Sequence, residues 1–213
     1  KQPGTRFYMH QEDMLKVSVC MIAYNHREFI AQAIESILAQ QTSFPFEIVI
    51  GDDNSKDDTR TICESYALKF PGKIRYCRRE KNLGMMPNFI ETLQACDGRY
   101  IALCEGDDYW TDEHKLQQQV DFLEASPDYS LCCHNHYVLT KNKLLPAGKD
   151  FEGTVRTVKT EEYLLHPFFH TTSFFFSFIA MLLPFPGWYK EVLAGDYFLV
   201  LFLWFNGTMA CLN

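Results

Sequence analysis

The sequence predicts an α/β fold in which a mostly parallel central sheet is flanked by helices on both faces. Three observations carry that expectation. Short apolar runs such as VSVCMIA (17–23) and FEIVI (46–50) have the pattern of strands buried on two faces. Segments with apolar residues at helical spacing alternate with them. The length of 213 residues, with 47% hydrophobic and 22% charged residues, suffices for one well-buried domain, or one domain and a small appendage.

The elements follow in order. Val17–Ala23 is the first strand, broken by Asn25-His26. Phe29, Ile30, Ala33, Ile34, Ile37 and Leu38 form one apolar stripe, a helix over about 27–40. Pro45 ends the connection to the second strand, Phe46–Ile50, which runs into the turn Gly51-Asp52-Asp53-Asn54-Ser55. Ser55 is placed to cap the next helix, with Asp57 and Asp58 favourable to its dipole, and Pro71-Gly72 stops it. Lys73–Cys77 is a third strand, Asn82-Leu83-Gly84 a loop, and Pro87–Ala95 a helix closed by Asp97-Gly98. Tyr100–Cys104 is a fourth strand ending at Glu105-Gly106-Asp107-Asp108-Tyr109-Trp110. Thr111 then caps a helix through Glu124, and Tyr129–His136 is a fifth strand. Lys141–Arg156, with Pro146, Gly148 and Gly153, reads as a hairpin or irregular insert. His170–Phe178 is a further strand, Asp196–Phe205 an apolar helix, and Gly207–Asn213 a strand cut off mid-fold.

Composition excludes some classes. The net charge of −7, with no lysine and arginine stripe, argues against a nucleic-acid partner. The most basic stretch, Arg75, Arg78, Arg79 and Lys81, reads as a solvated strand end. The eight cysteines are scattered without a C-x-x-C, and Cys20, Cys104, Cys132 and Cys133 lie in apolar runs as small hydrophobes. A reducing, cytosolic compartment is expected. Residues 1–16 form a polar extension without a signal-peptide pattern. Ser173–Phe185, interrupted by Pro184, is too short to span a bilayer, so no anchor is expected within the sequence and membrane association only peripherally. Aromatics make up 15% and accumulate after residue 160, as deep core or as a surface for something greasy.

The chemistry-bearing residues are two acidic turns, Asp52-Asp53 after the second strand and Asp107-Asp108 after the fourth. Ligands of open parallel sheets bind at the carboxyl ends of strands, so both turns are expected at one crevice. Adjacent carboxylates repel unless a cation or hydrogen-bond donors compensate, and a hard divalent cation suits oxygen ligands and substrate phosphates. Asp52-Asp53 reads equally as an ordinary capped turn. For Asp107-Asp108, between a buried strand and Tyr109-Trp110, the functional reading leads. Neither a G-x-x-x-x-G-K-[ST] loop nor a G-x-G-x-x-G follows the first strand, which leaves a metal as the economical way to hold a diphosphate.

The words VSVCMIAYNH (17–26), EIVIGDDNSKDDT (47–59), NLGMMPNF (82–89), YIALCEGDDYW (100–110) and GDYFLVLF (195–202), in this order and spacing, resemble a bacterial family 2 glycosyltransferase. The resemblance covers nearly all of 17–213. It implies a Rossmann-like, nucleotide-sugar-binding glycosyltransferase A fold, with 17–136 as the nucleotide-binding half and 137–213 as the acceptor-side half, the latter shortened at its end. It implies a nucleotide-sugar donor, a UDP-sugar first, and a glycan or lipid-linked acceptor in polysaccharide or cell-envelope synthesis. Mn2+ or Mg2+ is the implied cofactor, and the cytoplasm or the inner face of the membrane the implied location. Asp53 would accept from the base imide, beside Tyr24, with Asn82 and Asn88 near the base or ribose. Asp107 would touch the ribose or the metal, Asp108 the metal, and Asp196 would be the catalytic base of an inverting transfer. Glu105 stands where the family often has a first aspartate.

Rival readings have discriminating features. A sugar nucleotidyltransferase would need a glycine-rich basic loop where AYNH stands, and a non-catalytic nucleotide-sugar binder would keep the fold without turnover. Asp196 alone reads as an ordinary helix-start carboxylate. His134 and His136, on one face of the fifth strand, suggest zinc, but a further ligand at sensible spacing is missing, and a strand end near the crevice, at best lining the acceptor side, is the leading reading. His170 either approaches the donor phosphates or is an ordinary core or surface residue. Trp110 either stacks on a sugar or packs under the following helix.

Overall fold

A computed structural model describes residues 15–141, 143–147, 152–165, 169–178, 185–192 and 195–213. The polar extension, apart from its last residues, and the Pro184 region lie outside them.

The first half folds as strand and helix in alternation: β1 (Val17–Ala23), α1 (Ile30–Leu38), β2 (Phe46–Asp52), α2 (Thr59–Lys69), β3 (Ile74–Arg78), α3 (Met85–Gln94), β4 (Tyr100–Leu103) and α4 (Lys115–Ala125). After β5 (Tyr129–His134) come β6 (His136–Thr140), β7 (Lys143–Ala147), β8 (Val155–Val158), α5 (Thr160–Leu165), β9 (Phe175–Ser177), α6 (Gly195–Trp204) and β10 (Thr208–Leu212). Among the described residues the main sheet has the order β3-β2-β1-β4-β9-β5-β10-β8. The β1–β4 strands pair in parallel, β9 is wedged antiparallel between β4 and β5, and β10 lies parallel to β5.

The continuous apolar runs arise because each strand is covered twice. Val17, Val19, Met21 and Ala23 face α1, α2 and α4, through Ile30, Ile34, Ile37, Cys63, Leu116 and Val120. Cys20 and Val49 face the other side, with Leu93 of α3, Tyr163 of α5 and Leu199 and Leu203 of α6. Phe174, Phe175 and Phe176 are fully buried, so this part of the aromatic C-terminal third is core, whereas Trp188 and Phe205 are exposed. No helix among the described residues is long and apolar enough to cross a membrane.

Several expectations are corrected. The fifth strand stops at His134 because its partner β10 ends opposite it, at Leu212. His136 therefore begins a separate antiparallel hairpin, β6–β7, and the two histidines do not share a strand face. His170–Phe178 is a strand only at 175–177; Thr171–Ser173 is a 3-10 turn, with Ser173 N and Oγ both donating to the His170 carbonyl. Ser55 does not cap α2, which starts at Thr59, and Thr111 does not cap α4, which starts at Lys115. Asp112 accepts from His114 N before α4 instead. The basic stretch is not simply solvated: Arg75 pairs with Glu47 and Asp97, and Arg79 with Glu91.

Candidate functional site

Both acidic turns hang from the end of β1. Asp53 N donates to the Ala23 carbonyl at 2.9 Å and Gly106 N to that of Ile22 at 2.9 Å. Two glycines permit the close approach. A Cβ on Gly106 would lie 2.7 Å from His26 Nδ1 and 2.9 Å from Ile30 Cδ1. Gly84 has φ +91°, a conformation that turns the 82–84 loop back over Asp53.

The first turn is saturated with bonds. Asp52 Oδ1 accepts from Ser55 N at 3.0 Å and Ser55 Oγ at 2.5 Å, and Oδ2 accepts from the Tyr76 hydroxyl at 2.6 Å. Burial, with the Asp52 bond and charge adding to it, pushes the Tyr76 hydroxyl far above its ordinary value. Asp53, 3% exposed, accepts from Leu83 N at 2.6 Å and Gly84 N at 2.9 Å, one amide per oxygen. Asn82 is exposed and donates to the Asp53 carbonyl at 3.3 Å. Asn88 is 2% exposed, donates to the Gly51 carbonyl at 2.8 Å and accepts from Arg79 Nε at 2.9 Å. Its side chain brackets β2 to α3 beneath the turn. Tyr24, 43% exposed, stands at the rim.

The second turn is different. Asp107 is half exposed, with His26 Nδ1 3.9 Å from its carboxylate. Asp108 Oδ2 is buried without a hydrogen-bond partner among the described residues and lies 3.4 Å from His170 Nδ1. Burial pushes the Asp108 carboxyl up to about 6; His170 opposes the shift, and Glu105 and Asp107 add to it. Glu105 accepts from Thr171 Oγ1 at 2.8 Å. Trp110 is 7% exposed, donates through Nε1 to the Thr172 carbonyl at 3.2 Å and has Lys115 Nζ 4.2 Å from its ring centre. It packs under the turn.

Asp196 opens α6 and lines a cavity of about 250 Å³ with Glu105 and His170; the walls are largely apolar, including Cys20, Ile22, Met85 and Met86. The fold thus brings Asp107, Asp108, Glu105, His170 and Asp196 around one end of β4, with Tyr24, Asp53 and Asn82 at the ends of β1 and β2. His170 is the member that local reading undervalued. Its approach to Asp108 follows from β9 pairing beside β4, which no local pattern encodes.

Among the described residues no group of three or more His, Cys, Asp or Glu is arranged to hold a metal ion. Asp108 Oδ2, buried and without a hydrogen bond, next to His170, fits a smaller protein share, since a magnesium-like ion usually takes one or two carboxylates and draws its other ligands from phosphates and water.

A family model described as glycosyl transferase family 2 matches residues 18–184. An uncharacterised protein of Mycobacterium tuberculosis is 44% identical over 118 residues, covering 55% of this chain and 34% of that protein. The crystal structure of S. aureus TarS 1–349 in complex with UDP superposes with a TM-score of 0.74 at 21% identity, covering 93% of this chain and 58% of that one. The mannosyltransferase PcManGT from Pyrobaculum calidifontis, in complex with GDP-Man and Mn2+, superposes with a TM-score of 0.66 at 17% identity, covering 91% and 53%. The match thus spans about a third of that curated relative's length. The structural likenesses establish the expected fold.

Proposed function

Because the chain belongs to glycosyl transferase family 2 and has the glycosyltransferase A fold, we propose that it moves a sugar from a nucleotide-sugar donor to a hydroxyl acceptor with inversion at the anomeric carbon. The observation that carries the reading is the cavity that joins Asp196 to His170, which itself stands 3.4 Å from Asp108. UDP is the first choice of nucleotide, supported by the likeness to TarS bound to UDP.

Asp53 accepts from the base imide with lone pairs its two amide bonds leave over, beside Tyr24 and Asn82. Asn88, already bonded at both ends, acts by holding that floor in place. Asp107 reaches the ribose or the ion, and Asp108 with His170 holds the ion, Mn2+ or Mg2+. PcManGT solved with Mn2+ supports the choice of metal. When bound, such an ion neutralises charge developing on the departing diphosphate.

Asp196 takes the proton of the acceptor hydroxyl. The acceptor oxygen bonds to the anomeric carbon as the carbon–phosphate oxygen bond breaks, and attack from the opposite face inverts the centre. The acceptor is a glycan or lipid-linked glycan of the cell envelope, met on the cytoplasmic side.

The test is nucleotide release from UDP-, GDP- and TDP-sugars in Mn2+, paired with thermal shifts. A nucleotide at about 100 times its Kd should add about 2.7 kcal/mol to native stability. Neither stabilisation nor release with any of the three would end the transferase reading.

A further inference from the structure

A second groove is lined by the Asp107–Asp112 segment, α4 and the β6–β7 hairpin. Its volume is about 750 Å³, against about 250 Å³ for the cavity at Asp196. That falls within the roughly 300–1,000 Å³ of small-molecule sites, and leaves room beyond one sugar ring.

Residues lining the groove carry polar atoms with hydrogen-bonding capacity that no described residue uses. Lys115 is 5% exposed, yet among the described residues its ammonium gives one hydrogen bond, to Gln119 Oε1 at 2.7 Å, and has further N–H groups to donate. His134 Nδ1 lies 2.7 Å from the Asn135 carbonyl, a contact it can make only as a donor. The proton therefore sits on Nδ1, and Nε2 is a lone-pair acceptor, buried and without a partner among the described residues. Burial is the leading reason that the His134 ring is held neutral, with its pKa lowered to about 3. His136 Nδ1 is a second buried ring nitrogen without a partner among the described residues. Leaving such groups unmet costs about 1–3 kcal/mol each, so their gathering along one groove points to partners supplied from outside.

The facing wall is apolar. Tyr137, Leu139 and Leu144 of the hairpin, all lining the groove, are 59%, 54% and 48% exposed. A hydrogen-bonding floor opposite an apolar wall matches a pyranose, which has hydroxyls at its edge and C–H groups on its faces. The carboxylates of Asp107, Asp108 and Asp112 also line the groove and outnumber Lys115, which disfavours an anionic occupant.

We propose that this groove is a saccharide-binding subsite, which holds neutral sugar units of the acceptor behind the one that reacts. The assignment to an acceptor rests on the transferase reading above. The groove shares Asp107 and Asp108 with that site, but Lys115, His134 and the β6–β7 hairpin line the groove alone.

The test probes the full chain on an array of neutral glycans of one to four hexose or N-acetylhexosamine units in α and β linkages. The tightest array glycan is then titrated calorimetrically, and UDP is titrated separately in Mn2+. Glycans of two or more units should bind better than single sugars. Lys115→Met and Tyr137→Ala should each weaken the titrated glycan roughly tenfold, while UDP affinity stays within about twofold. Lys115 is buried, so circular dichroism accompanies that variant; Tyr137 is exposed and carries the test if Lys115→Met misfolds. An empty array, or glycan affinity unchanged in Tyr137→Ala, overturns the subsite even when UDP binds normally. Glycan binding that depends on Tyr137, with no binding of UDP, GDP or TDP in Mn2+, would keep the saccharide site and remove the transferase reading.

Discussion

The two Asp-Asp turns share one sequence word and one position, the end of a parallel strand, yet they differ in what the protein has done for them. Asp52 and Asp53 accept five hydrogen bonds between them, from Ser55 (two), Tyr76, Leu83 and Gly84. Asp107 stands half exposed, and Asp108 has a buried oxygen without a hydrogen bond among the described residues and a carboxyl pushed up by burial to about 6. A satisfied pair is scaffold, and what it binds must fit capacity left over. A buried carboxylate oxygen left unsatisfied, as at Asp108, is costly until something positive arrives. Removing carboxylates of the first kind should therefore injure the fold, and removing those of the second kind should injure only function.

The largest effect expected is at Asp196, the general base proposed above. Asp196→Asn keeps the shape and should leave donor binding and melting temperature near the parent's, while transfer falls by about 10²–10⁴-fold. Steady-state transfer and nucleotide titration on the same preparation separate the outcomes. Full transfer activity would take Asp196 out of the mechanism, and loss of folding would move it to the scaffold class.

Next comes Asp52→Ala. It strands the Tyr76 hydroxyl and the Ser55 N–H and hydroxyl in a buried turn, and should cost about 3 kcal/mol in urea denaturation. A loss near zero would mean that the first pair is not scaffold, and the contrast between the turns would collapse.

The smallest effect sharpens the boundary between them. Asp57, just beyond the first turn, accepts from Thr59 N at 3.0 Å and Arg27 N at 3.1 Å. Desolvation works against its ionisation, but the bonds from Thr59 and Arg27 win and hold its carboxyl below the usual range. A depressed carboxyl contributes stability that is present above its unfolded value and lost as the pH falls through the folded one. Asp57→Ala should cost about 1 kcal/mol at pH 7, fading once the pH drops below about 4, with nucleotide affinity unchanged. A larger loss of affinity than of stability would extend the binding surface to α2.

Much of this was legible in sequence where the signal is local. The apolar runs of β1, β2 and β4 and the helical stripe of α1 carry their own periodicity, and both acidic turns fall where those runs end. What depends on distant pairing was not legible. The stop of β5 at His134 is set by where β10 ends, 78 residues later in register terms at Leu212. The proximity of His170 to Asp108 requires β9 to insert beside β4. Arg79 reads as solvated until α3 brings Asn88 and Thr92 against its guanidinium. Trp110 was ambiguous because stacking on a sugar and donating to the Thr172 carbonyl both need the same ring at the same turn.

The central claim is that the second pair, and not the first, awaits a cation. It is tested most directly by calorimetric titration of UDP into the intact chain in Mn2+ and again in EDTA, with Asp108→Asn alongside. Affinity should fall at least roughly tenfold in EDTA, about 1.4 kcal/mol, and Asp108→Asn in Mn2+ should bind as the parent does in EDTA. Equal UDP affinity in Mn2+ and EDTA, or an Asp108→Asn variant that still gains from Mn2+ as the parent does, would contradict it.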